Sequence, residues 1–114
     1  MAEQTFPSEW LRGVLELCVL GIVREGTTYG YAIAQRLDEA GVGTVKGGTL
    51  YPLLNRLEGE GLLSSTWHVG EGGPGRKFYE LTAAGRQRFA SRSLLWDQFV
   101  QVTDRCVSPN NGVQ

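Results

Sequence analysis

Three side chains near the middle of the chain, Thr49, Asn55 and Arg56, have the types best suited to directional hydrogen bonding with a planar polar partner. Asn can bond an adenine edge through two atoms. Arg can do the same with guanine or hold a phosphate, and Thr can meet a base edge or the thymine methyl. Lys46 precedes them, and Arg76 with Lys77 forms a second basic pair further on. Cations so placed can neutralise phosphates. Other chemistries find little footing. His68 is the only histidine, and with Cys18 and Cys106 it makes no metal-ligand spacing. It has no nucleophile motif to serve as a base. The glycine-rich run at 70–75 is followed by neither GK[ST] nor a helix start, so it is not a phosphate loop. No metal, cofactor or enzymatic activity is expected.

The elements that must position these groups are legible from periodicity. In TLYPLLNRLEGEG, a wheel centred on Leu50 brings Leu53, Leu54 and Leu57 within about 60°. Thr49, Pro52, Asn55, Arg56 and Gly59 fall opposite. A helix starting at Thr49, capped by its hydroxyl, puts Pro52 in the first turn, where proline costs little. Gly47 and Gly48 are alternative starts, and Gly61 ends the helix.

Upstream, SEWLRGVLELCVLGIVRE predicts a helix over Ser8–Glu25, with Ser8 as N-cap and Gly26 just past its end. Leu11, Val14, Leu15, Cys18 and Ile22 mark one face, and Leu17, Val19, Leu20 and Val23 add apolar residues on other sides. Such a helix needs cover on more than one side, which points to a second subunit. A polar and aromatic link at Thr27–Tyr29 leads to a short amphipathic helix in GYAIAQRLDEA, ended by Gly41.

After Leu62 the period changes to that of strands. LLSSTWHV and RKFYEL flank the glycine-rich tip and make a hairpin. Thr82 caps a last helix running to Val107. Along it Phe89, Trp96 and Thr103 share one seam and Arg92, Phe99 and Cys106 the alternate one, with Leu95 and Val102 widening the stripe. No later element exists to cover this stripe, so its natural partner is another copy of the chain. Residues 108–114 are expected to be a disordered tail.

At 114 residues and 12.5 kDa the chain has room for one domain. Its net charge of −1, from 11 basic and 12 acidic side chains, excludes nucleic-acid binding through overall basicity, so any such role depends on local placement. No apolar run is long enough to span a membrane, and MAEQTFPSEW lacks a signal-peptide pattern. Two widely separated cysteines fit a reduced, cytoplasmic protein.

The order helix, helix, turn, helix, hairpin, long helix is that of a winged helix-turn-helix. The expected fold is thus mainly α, with a winged head over 8–81 and a long C-terminal dimerisation helix over 82–107. Three stretches, GTTYGYAIAQRL, GGTLYPLLNRLEGEGLL and GGPGRKFYELTAAGR, also resemble the PadR family of bacterial transcriptional regulators, across roughly residues 9–100. The single helix after Thr82 matches the short type. The resemblance implies a homodimeric repressor bound to a palindromic operator and released by a small aromatic or drug-like inducer. By the same match Tyr29, Gly30 and Tyr31 form the aromatic element before the second helix. Thr49, Leu50, Tyr51 and Pro52 open the reading helix, and Arg76, Lys77 and Tyr79 lie on the wing's return strand.

The candidate DNA-contacting set is therefore Tyr31, Lys46, Thr49, Tyr51, Pro52, Asn55, Arg56, Arg76 and Lys77. Tyr51, on the helix flank, can either reach phosphate or pack on the wing. The candidate dimer interface is Leu11, Leu15, Cys18, Phe89, Leu95, Trp96, Phe99, Val102, Thr103 and Cys106. Trp96 is either a large packing residue of that seam or, with Phe99 and Trp10, a flat apolar wall for a planar effector. A winged-helix protein-interaction module and a redox or metal sensor on the same fold are the competing functional classes.

Overall fold

The structure is a computed structural model and describes residues 6–69 and 73–108. Its elements are α1 (Ser8–Val23), β1 (Thr28–Tyr29), α2 (Gly30–Glu39), α3 (Gly47–Gly59), β2 (Leu63–His68), β3 (Arg76–Leu81) and α4 (Ala83–Val107). This is the mainly helical winged arrangement that the element order predicts. The tail beyond Ser108 and wing-tip residues 70–72 lie outside the described residues.

Thr27–Tyr29 is more than a link. Two of its residues form β1, which joins the hairpin as a third antiparallel strand in the order β1-β3-β2, with Tyr29 opposite Phe78. Two residues are too few for an alternating pattern, so only pairing with β3 reveals the strand. In the hairpin Leu63 pairs with Leu81, Ser65 with Tyr79 and Trp67 with Lys77. Leu63, Ser65, Tyr79 and Leu81 thus share the core side, while Trp67, further along the same face, is exposed.

Helices α2 and α3 both end in the six-to-one turn that a glycine just past the C-cap permits. Gly41 and Gly61 have positive φ, and the N–H groups of Val42 and Leu62 reach back to the carbonyls of Leu37 and Leu57. Helix starts differ more from expectation. Pro7, not Ser8, precedes α1, and no side chain caps it. Helix α3 begins at Gly47 after Lys46, so Thr49 lies inside it and caps nothing. Pro52 consequently falls in the second turn, and the carbonyl of Gly48 loses the partner a normal residue would supply. Thr82 does cap α4: its hydroxyl accepts from the Gly85 N–H at 3.0 Å and donates to the Gly61 carbonyl at 2.6 Å.

The core is built by Val19, Leu20 and Val23 of α1, Ile33 and Leu37 of α2, Leu50, Leu54 and Leu57 of α3, and Leu63, Tyr79 and Leu81 of the sheet. Much of the apolar surface of α1 is therefore covered within its own chain. Leu15 is buried there, and Leu11, Cys18 and Phe89 pack against the same core. Leu15, named in the candidate dimer interface, thus keeps only 7% of its surface exposed in the single chain. Helix α4 runs antiparallel to α1, with the Phe89 ring against Gly21 and Trp96 near Trp10 and Val14. Beyond Phe89 its apolar side chains Leu94, Leu95, Trp96, Phe99, Val100, Val102 and Val107 are exposed.

Candidate nucleic-acid interface

Four core leucines decide which way α3 faces. Leu50, Leu54 and Leu57 are buried and Leu53 is half-buried, which turns the opposite side to solvent. Gly48, Pro52, Asn55 and Gly59 occupy that side, and all four are exposed. Three of them have little or no side chain to project. The outward face is thus nearly flat, with the Asn55 amide as its central hydrogen-bonding group. Thr49 is exposed on one border. Lys46 is exposed at the N-cap of α3, and Tyr31 is exposed on the first turn of α2.

Arg56 also leaves this helix, but it is turned aside. Its Nη2 donates to Glu16 Oε1 of α1 at 3.1 Å, and its Nη1 to Glu60 Oε2 at 3.0 Å. Glu16 binds a second arginine through its other oxygen, Arg88 Nη1 of α4 at 2.9 Å. Burial works to raise the Glu16 pKa. The hydrogen bonds and charges of Arg56 and Arg88 outweigh it and hold the carboxyl below its ordinary value. The Arg56–Glu60 pair follows from i,i+4 spacing and is readable in the sequence. Glu16 is not, because 40 and 72 residues separate it from its two partners.

The other border of α3 carries Tyr51 and Glu58. The Tyr51 ring lies on Gly30 at the start of α2 and near Gly47, so it packs on α2. Glu58 accepts from the Ser65 hydroxyl of β2 and, at 3.0 Å, from the Lys77 ammonium of β3. Those two contacts depress its pKa, in that order of strength. One carboxylate therefore ties both wing strands to the end of α3, and Lys77 is engaged in that tie.

Arg76 takes the opposite face of β3, as alternation requires. Its guanidinium stands 4.3 Å above the Tyr29 ring, which meets Phe78 edge-on at 5.3 Å, with His68 against the same Phe78 at 4.9 Å. The cation is oriented by aromatic stacking and remains exposed at the base of the wing tip.

The candidate effector residues divide between two concavities. Trp10 and Trp96 line a groove of about 400 Å³ with Phe6, Leu11, Val14 and the end of α2. Phe99 lines a second hollow of about 200 Å³ with Trp96, Val100 and Thr103. Cys18 is half-buried, with burial raising its thiol pKa, and Cys106 is exposed. Among the described residues no three His, Cys, Asp or Glu side chains cluster to hold a metal, and no helix is long and apolar enough to cross a membrane.

Known proteins share this arrangement. The model of the "Transcriptional regulator PadR-like family" matches residues 19–91. A transcriptional regulator of Mycobacterium tuberculosis is 38% identical over 78 residues, which span 68% of this chain and 71% of that protein. Among solved structures, a PadR-like transcription factor from Bacteroides fragilis superposes with a TM-score of 0.76 at 34% identity, covering 88% of this chain and 96% of its own. Bacillus subtilis PadR, crystallised with operator DNA, gives 0.64 at 29% identity over 68% of this chain and 44% of its own. The match spans both α3 and the hairpin, and the chain belongs to the PadR-like family of transcriptional regulators.

Proposed function

We propose that the chain is a homodimeric DNA-binding repressor. Each subunit lays α3 in a major groove, touches neighbouring phosphates from the wing and from Tyr31 and Lys46, and works in the cytoplasm. The observation that carries the reading is the flat outward face of α3. Gly48, Pro52 and Gly59 let the backbone approach base edges, and Asn55 offers the bidentate pattern of an adenine reader. The operator DNA held by the Bacillus subtilis relative supports the same use of the fold.

Dimerisation rests on α4. From Leu94 to Val107 it leaves seven large apolar side chains exposed, a surface of the kind a partner covers. A second copy related by a two-fold axis covers that row and sets two α3 helices about one DNA turn apart. Trp96, exposed beside Trp10 on the same helix pair, then faces its counterpart, and a planar aromatic inducer fits between the indoles. Such a ligand weakens DNA binding by as much as it prefers the other head spacing, commonly about 1–3 kcal/mol.

Selection from a randomised duplex library with the purified chain tests the reading. Enrichment of a palindrome with half-sites one turn apart supports it. Absence of enrichment overturns it in favour of a protein-interaction module.

A further inference from the structure

We propose that Glu16 is a positioning residue for Arg56, holding the one cation of α3 away from DNA to a degree set by Arg88 on α4. The inference rests on the DNA-binding reading above and adds a control within each subunit. The Glu16 carboxylate is split between two helices, one oxygen on Arg56 at 3.1 Å and the other on Arg88 at 2.9 Å. Glu16 is only 19% exposed while Arg56 is 48% exposed, so the anchor is fixed and the guanidinium is the part able to leave.

Charge counting gives the consequence. Glu16, Glu60, Arg56 and Arg88 sum to zero, so the attraction of Arg56 for a phosphate is offset by the carboxylates it already pairs with. To contact DNA it must exchange a carboxylate for a phosphate or a base edge. Arg88 competes for the same carboxylate, and a closer Arg88 weakens the hold on Arg56. A shift of α4 along α1 therefore changes the availability of a side chain on the reading helix.

The test uses the full chain and the duplex that the wild type selects from a randomised library, titrated at several KCl concentrations. Glu16→Gln is expected to bind roughly two- to fivefold tighter, the range for releasing a partly exposed ion pair. Its salt slope should steepen by about 0.9 for each Arg56 that gains a phosphate. Arg88→Met is expected to bind more weakly by a similar factor. Neither effect should survive in an Arg56→Met background.

Binding by Glu16→Gln that is unchanged or weaker, with an unaltered slope and native circular dichroism, overturns the proposal and leaves Glu16 as a brace. If Glu16→Gln does not fold, Arg88→Met decides. An affinity equal to wild type, or a loss that persists without Arg56, overturns the proposal. A wild type that selects no duplex overturns the DNA-binding reading instead.

Discussion

Tyr51 of α3 lies directly on Gly30, the first residue of α2. A Cβ built at Gly30 would stand 2.6 Å from Cε1 and 2.7 Å from Cζ of that ring. The hydrogen at position 30 is what allows α3 to pack this closely on the start of α2. Gly30→Ala should therefore push the ring aside, at a cost of about 1–3 kcal/mol. Thermal unfolding checks the loss. Adding Tyr51→Ala should recover part of it by removing the clash.

The two cations at the base of the wing should behave differently although they are neighbours. Arg76 is exposed over Tyr29, whereas Lys77 is tied to Glu58. Arg76→Ala should weaken DNA binding and flatten the salt slope by about 0.9 per subunit. Lys77→Ala should leave the slope unchanged and instead loosen the wing. Fluorescence anisotropy titrations over a KCl series separate the two outcomes.

Acid should destabilise the fold through Glu16 and Glu58. Both carboxyls are held below the ordinary value of 4.5. The stability they contribute is present above that value and is lost as pH falls through the lower folded value. Urea unfolding midpoints should drop through and below the ordinary carboxylate range. They should drop less in Glu16→Gln and Glu58→Gln, whose side chains have no charge to lose.

The exposed row on α4 makes a prediction about assembly. Val102→Glu places a charge in the proposed seam and should yield monomers by sedimentation velocity, with the melting of the winged head retained. Trp96→Ala should keep the dimer while abolishing quenching of tryptophan fluorescence by planar aromatic compounds. Monomers from Trp96→Ala would make packing its role.

Helix α3 was legible because four leucines at helical spacing allow only one buried face, and whatever lies opposite must meet solvent. The hairpin was legible from alternation, and the Thr82 cap from a hydroxyl three residues before a free N–H. Ser8 and Thr49 have the same chemistry but cap nothing. Pro7 stands at the N-cap of α1, and Lys46, three residues before Thr49, at that of α3, so a local propensity worth about 1 kcal/mol does not fix the boundary.

Amino-acid order alone determined the kind of fold, the outward face of α3 and the basic residues available to it, since periodicity and turn chemistry act over a few residues. Tertiary structure alone decided which of those cations are free. Arg56 is held by Glu16, Lys77 by Glu58, and Arg76 stands over Tyr29. It also enclosed Leu15 within its own chain while leaving Phe99 and Val102 in water. Ion pairs and burial depend on distance in space, and residues 40 or 72 positions apart acquire that distance only when helices and sheet have packed.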